Sequence, residues 1–291
     1  MKILFVSCYV DNSHFIDIMK TSLDKYLLNC TYDFICLNDA PDIKNGEENF
    51  LKICDIMSSN DDCFNLIFDS ANKNNFTHIK IPQNIHNDKN RSNHGGPRHI
   101  ENLNWFNYNI NTLIPNYKEY DFLCHIDSDC ILRDKIDLNI ELNGYDMAGP
   151  YIYINPDFYY IHTGLFFINL KTVLNMKEIK WDNTMGTDTG SEIGNFILKN
   201  PQYKIKKLGH YNGYTTNYMI INNHTIISLD IKEIDDIPYK LIDTWFNKKF
   251  IHFRAGSCFG VGTYRHRSSD RLSLYDIKYQ AFLKLLKINN I

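Results

Sequence analysis

No apolar run of about 18 residues occurs anywhere in the 291-residue sequence, so none of it is expected to span a bilayer. An excess of basic charge is missing too. The 31 Lys and Arg residues are set against 34 Asp and Glu, for a formal net charge of −3. That balance excludes an overall positive field for nucleic acid or an anionic membrane, although local basic clusters remain able to hold a phosphate. C-x-x-C pairs are absent. The eight cysteines, at 8, 30, 36, 54, 63, 124, 130 and 258, are scattered, several of them inside apolar strand-like runs. This pattern predicts reduced, buried thiols and a cytoplasmic location. The opening "MKILFVSCYVDNSHF" has too short an apolar stretch for a signal peptide and no A-x-A cleavage pattern, so none is expected. Internal repeats and linker-like segments are also lacking, so one domain over residues 1–291 is expected.

What is present supports a full core: 44% of residues are hydrophobic and 14% aromatic. "KILFVSCYV" (2–10) reads as a strand buried on both faces, because its apolar run is continuous rather than alternating. A helix follows, with Asn12 or Ser13 as its cap and Phe15, Ile18, Met19, Ser22, Leu23, Tyr26 and Leu27 at helical spacing. "YDFICLND" (32–39) is a second strand. Strand, helix and strand in so short a span predict a βαβ unit and a parallel sheet. Residues 47–74 read as helical with a break at "SSNDD", and "HIKIP" (78–82) as a third strand. The polar stretch 83–99 reads as a long loop, and a helix from Pro97 to Leu113 is ended by Pro115. Further strands are predicted at "DMAGPYIYI", "TGLFFINL" (163–170) and "KFIHFRAGS" (249–257), and a capped helix at 187–200. An amphipathic helix over 270–288 completes the pattern.

The segment "YDFLCHIDSDCILRD" (120–134) poses the chemical question. Asp127 and Asp129, with Ser128 between them, close an apolar strand, where two carboxylates repel unless something positive lies between them. A divalent metal, a helix N-cap or a phosphatase nucleophile would each account for the pair. The last fits poorly, because it needs a chain-opening D-x-D followed by Thr or Val, and here Ile131 follows more than a hundred residues into the chain. Hard divalent cations take oxygen ligands, and alternate residues of an extended segment supply two of them. In an open parallel sheet, ligands bind at the carboxyl ends of strands. His252 offers an imidazole as third ligand, although a histidine inside "FIHF" is ordinarily a packed strand residue. Arg254, Arg265 and Arg267 lie beyond it, either to pair a departing diphosphate or as an ordinary solvated surface.

The order of these segments resembles the GT-A glycosyltransferases, and most nearly the glycogenin-like and lipopolysaccharide galactosyltransferase-like group. "LIPNYKEYDFLCHIDSDCIL" looks like that group's strand and metal motif, "HTGLFFINLKTV" like its acceptor-side strand, and "FIHFRAGS" like its metal-histidine strand. The resemblance covers roughly residues 1–265, by motif order. It implies an α/β fold: a single Rossmann-like GT-A domain with a mixed, mostly parallel central sheet flanked by helices. Residues 1–130 would form the nucleotide-binding half and 131–265 the acceptor and metal-histidine half.

The resemblance further implies that a sugar passes from a nucleoside-diphosphate donor to an acceptor hydroxyl on a glycan, lipid or protein. Mn²⁺ or Mg²⁺ would sit on Asp127, Asp129 and His252. The nucleotide would rest near Ser7, Cys8, Tyr9 and Asp11, which are otherwise a strand-to-helix turn with Asp11 as the helix start. Arg98 would reach the donor, or be a solvated helix start. Asp188 and Glu192 would be the acceptor-side carboxylates, with helix capping the alternative for Asp188. The chain departs from the group at His162, where Asn or Asp is usual, at "TDTGSE" in place of a D-Q helix start, and in lacking a lysine-bearing end motif. These departures leave retention or inversion open and pass the phosphate work to arginine. A sugar-nucleotide nucleotidyltransferase, the competing enzyme, would normally carry a glycine-rich basic loop after the first strand, and "SCYVDNSHF" has none. A non-catalytic glycan- or protein-binding relative is the other alternative.

Overall fold

The computed structural model describes residues 1–10, 13–47, 63–86, 95–155, 157–182, 189–210, 218–221, 224–227, 242–246 and 249–253. β1 (Lys2–Tyr9) is a central strand. Ile3 and Phe5 enter one apolar cluster and Leu4 and Val6 the other, none more than 1% exposed. Burial on both faces is the reason its apolar run does not alternate. α1 (His14–Tyr26) buries Phe15, Ile18, Met19, Ser22, Leu23 and Tyr26 as its period predicts, and Ile16 besides, while Leu27 falls past the helix end and is half-buried. Ser13 stands at its N-cap without a side-chain capping bond, and Asn12 lies outside the described residues.

The two-residue β2 (Leu27–Leu28) precedes β3 (Thr31–Asn38), which pairs parallel with β1 in the register Phe5 to Phe34. α2 (Cys63–Lys73) is the second part of the helical stretch expected over 47–74, and residues 48–62 lie outside the described set. β4 (Thr77–Lys80) extends the sheet in parallel from β3. α3 (Gly95–Leu113) ends shortly before Pro115. β5 (Phe122–Ile126) then returns to the opposite side of β1, again parallel.

β6 (Cys130–Leu132), β7 (Ile136–Asp137) and the short α4 (Leu138–Glu141) then leave the main sheet. β8 (Met147–Asn155), β9 (Phe158–Ile161) and β10 (Leu165–Asn169) follow, then α5 (Ser191–Lys199) and β11 (Ile205–His210). The apolar pattern had not announced β9, a four-residue return strand. The main sheet has the order β11-β8-β10-β5-β1-β3-β4, with β9 on β8. β10 and β9 run against the other six strands, so the sheet is mixed and mostly parallel. α1 and α2 pack in the cluster on one face, and α3 and α5 in the cluster on the other.

β12 (Tyr218–Ile221) and β13 (His224–Ile227) form a separate hairpin. β14 (Ile242–Trp245) and β15 (Phe250–Phe253) join β6 in an antiparallel three-stranded sheet. The late strand therefore pairs outside the main sheet. The helix expected over 270–288 lies outside the described residues. Cys8, Cys30, Cys36, Cys63, Cys124 and Cys130 are free thiols, and no helix among the described residues is long and apolar enough to cross a membrane.

The carboxyl end of β3 is tied to α3 by a buried ion pair. Asp39 is 0% exposed and Arg98 4%. Arg98 Nε donates to Asp39 Oδ2 at 2.6 Å, and its terminal nitrogen to Oδ1 at 2.8 Å. Asn102 Nδ2 donates to Oδ2 at 2.7 Å, and His86 Nε2 lies 2.9 Å from Oδ1. Burial pushes the Asp39 carboxyl up, but His86, the Arg98 guanidinium and Asn102 together outweigh it and hold the pKa below its ordinary value. Arg98→Ala leaves a buried carboxylate without its main counter-charge and is expected to cost about 3–5 kcal/mol in urea unfolding at neutral pH. With the folded pKa depressed, the Asp39 contribution is complete above the unfolded carboxylate value of about 4 and is lost as pH falls through the folded one. The variant's deficit should therefore shrink in acid; a deficit unchanged from neutral pH down to acid would refute this assignment.

Candidate functional site

Leaving β1 toward β3 and β4, the chain returns to the other side of β1 with β5. The carboxyl ends of β1 and β5 thus flank the point where the strand order reverses, the place where open α/β sheets bind ligands. Asp127 follows directly on β5. The Cys130 N–H donates to the Asp127 carbonyl at 3.0 Å, so "DSDC" is a tight turn rather than the extended segment that alternation had implied. A strand, β6, leaves this turn, so no helix is present for either aspartate to cap. Ser128 and Asp129 are 4% and 2% exposed, and the Asp127 side chain is 21% exposed.

β6 pairs antiparallel with β15, opposing Cys130 to His252. That register brings His252 Nε2 to 3.6 Å from Asp127 Oδ2 and 3.4 Å from Asp129 Oδ1. One donor atom from each of the three residues falls within 4.8 Å of the others. The 3.4 and 3.6 Å separations suit ligands about 2.0–2.2 Å from one ion, and two carboxylates with an imidazole suit Mn²⁺ better than Mg²⁺, which takes oxygen donors. His252 arrives by antiparallel pairing with β6, not as another strand of the parallel sheet. The Trp245 ring stacks on it at 5.1 Å and 16°.

The surroundings contain groups that the strand pattern did not single out. His99, on α3, places Nε2 3.4 Å from Asp127 Oδ1. His162 accepts the Gly164 N–H on Nδ1 at 3.0 Å, and its ring lies 5.7 Å from that of His252. The Asp127 N–H donates to the Gly164 carbonyl at 3.0 Å. "HTG" was a visible signal for this contact, and "PRH" at the start of α3 a weaker one for His99. His125 points away, its Nε2 3.0 Å from Asn107 Oδ1; burial, and after it His99, lowers its pKa to about 3, so it stays neutral.

The other expected residues are placed as follows. Ser7 and Tyr9 are 1% exposed. Cys8 is half-buried at the end of β1, and burial, then Asp39 and Asp127, raise its pKa, so it remains a thiol. Burial first, with Asp129 among its neighbours, likewise raises the pKa of Tyr9. The Arg98 guanidinium ends on Asp39. Glu192, on the first turn of α5, accepts from Asn195 Nδ2 at 2.8 Å. It lines a cavity of about 590 Å³ with Asn104, Tyr108, Lys177, Trp181 and Asp182, whose lining among the described residues does not include Asp127, Asp129 or His252. Asp11, Asp188, Arg254, Arg265 and Arg267 lie outside the described residues.

No family model and no curated protein matches the sequence. Similar solved structures include galactosyltransferase LgtC in complex with donor and acceptor sugar analogs, at 15% identity and a TM-score of 0.32, covering 59% of this chain and 58% of that one. An active-site mutant of LgtC has 16% identity, a TM-score of 0.33 and the same coverage. The apo bifunctional glycosyltransferase WbbM has 14% identity and a TM-score of 0.38, over 71% of this chain and 38% of that one. The chain thus spans less than two thirds of the length of each structure.

Gly164 leaves room for the site. A Cβ there would stand 2.9 Å from Asp127 Oδ2 and 2.9 Å from His162 Nδ1 and Cε1. Gly164→Ala is therefore expected to displace the Asp127 carboxylate with the fold kept, and a divalent ion such as Mn²⁺ held on these donors would bind about tenfold or more weakly. Calorimetric titration of the purified variant checks it; unchanged affinity would mean that Asp127 Oδ2 is not a ligand.

Proposed function

We propose that the chain is a metal-dependent glycosyltransferase that moves a sugar from a nucleoside-diphosphate donor, specifically a UDP-sugar, to an acceptor hydroxyl on a glycan, lipid or protein. The observation carrying this reading is the convergence of Asp127, Asp129 and His252 at the strand-order reversal of a mostly parallel sheet. A bound Mn²⁺ or Mg²⁺ supplies Lewis acidity to the diphosphate, stabilising the charge that builds up as the sugar departs.

The protein's part is to hold and orient. Asp127 and Asp129 supply oxygen donors from one turn, and His252 a nitrogen donor from across β6. In this reading the nucleotide lies over the end of β1, near Cys8, with Ser7, Tyr9 and Asp11 shaping that end and Ser128 beside the diphosphate. Arg254, Arg265 and Arg267 pair the leaving diphosphate. Arg98 acts through Asp39, fixing the wall of the crevice. Asp188 or Glu192 serves the acceptor side, as general base for an inverting transfer or by steadying the oxocarbenium-like centre for a retaining one. We take residues 1–291 as one glycosyltransferase domain, and a reducing, cytoplasmic location fits its free thiols.

Asp127→Ala and Asp129→Ala are each expected to abolish sugar transfer while leaving the fold intact. The assay is turnover of UDP-sugars with Mn²⁺, beside a thermal-shift screen of UDP- and GDP-sugars, in which a true donor stabilises the wild type in proportion to its concentration over its Kd. Near-normal turnover in both variants would sink the metal reading. Glu192→Gln should lower transfer about a hundredfold with nucleotide binding retained. If it turned over at the full rate, Glu192 would have no acceptor-side role.

A further inference from the structure

Asp127 faces an imidazole on each of its oxygens. Oδ2 lies 3.6 Å from His252 Nε2, and Oδ1 lies 3.4 Å from His99 Nε2. We propose that His99 is a positioning residue of the metal site, whose Nε2–H holds the outer oxygen of Asp127 so that the other stays aimed between Asp129 and His252. This inference rests on the metal reading above and extends it to a residue outside the three donors.

Three observations carry it. His99 Nε2 is buried and has no hydrogen-bond partner among the described residues, so Asp127 Oδ1, at 3.4 Å, is the acceptor it faces. A buried N–H left without a partner costs free energy, and a small turn that aligns the ring with Oδ1 satisfies it. Next, His99 approaches the oxygen that His252 does not, so the two rings bracket the carboxylate rather than compete for one position.

The third observation is that His99 has little freedom to go elsewhere. Its neighbours in α3 are anchored on both sides. Arg98 and Asn102, one helical turn apart, both donate to the buried Asp39. Ile100 and Leu103 enter the apolar cluster beneath the helix at 4% and 2% exposure. With those two stripes of the helix fixed, the rotation of α3 is set, and His99 occupies the sector between them, against Asp127. The Asp39 clamp thus acts on the metal site at one remove, by setting where His99 stands. Partners that hydrogen-bond a ligating group from outside typically govern metal affinity by about 10–100-fold.

The test is titration of the metal-free full-length protein with MnCl2, without nucleotide, followed by calorimetry and by the Mn²⁺ electron-spin signal. Wild type, Asp129→Ala, His99→Ala and His99→Gln are compared, with circular dichroism to establish that each is folded. His99→Ala is expected to raise the Mn²⁺ Kd about 10–100-fold. His99→Gln, whose amide N–H replaces the Nε2–H, should restore most of it. An unchanged Kd in His99→Ala, beside lost binding in Asp129→Ala, overturns the role of His99 and leaves the metal reading standing. Loss in both His99 variants makes the imidazole itself a ligand and overturns the positioning role. If wild type and Asp129→Ala bind alike, or neither binds, the metal reading itself fails.

Discussion

Two carboxylates held on one four-residue turn repel each other, and the backbone gives them no way to separate. The Cys130 N–H closes the turn on the Asp127 carbonyl, and Asp129 is almost wholly excluded from water. Unscreened repulsion of this kind is tolerable only with positive charge or proton donors close at hand. The rest of the molecule is arranged around that need. β5 runs beside β1, so the turn opens at the strand-order reversal. β6 carries the chain away and pairs with β15, returning an imidazole to the same spot. Gly164 keeps a side chain out of the space, and α3 brings a second imidazole from the opposite side.

Much of this was legible in the sequence, because continuous apolar runs and helical periods are local properties. "KILFVSCY" could be read as a strand buried on both faces and "DFLCHI" as an apolar strand, and the buried side of α1 followed its spacing except that Ile16 is buried as well and Leu27 lies past the helix. D-x-D at a strand end and "FIHF" marked the three residues that the fold brings together. What escaped depended on long-range pairing. Nothing in "KFIHFRAGS" indicates that it pairs with β6 rather than with the parallel sheet, since either partner accepts the same apolar alternation. β9 was missed because four residues between two stronger strands carry too little pattern.

Arg98 shows the same limit in electrostatic form. A basic residue after a polar, glycine-containing loop reads as a solvated or ligand-facing cation, and only the fold reveals a buried aspartate opposite. Asp39, directly after β3, was the counterpart, but an aspartate ending a strand is ordinarily a turn residue. The buried pair is unremarkable as a source of stability, because desolvation offsets most of the attraction. Its value is orientational. A bidentate guanidinium on a carboxylate fixes direction as well as distance, and here the direction is that of a helix whose next residue faces the DSD turn.

The antiparallel seam between β6 and β15 has a consequence for the order in which the molecule assembles. β1, β3, β4 and β5 join segments that follow one another within the first half of the chain. The seam instead joins Cys130 to His252, closing a loop of more than a hundred residues. Contacts across so long a loop are entropically late in folding. Loop entropy thus favours completing the turn with its two acidic groups before its imidazole arrives, so that the C-terminal strands dock onto a surface already negatively charged. On the metal reading proposed above, a cation seated there would draw β15 in, linking occupancy of the site to closure of the last seam.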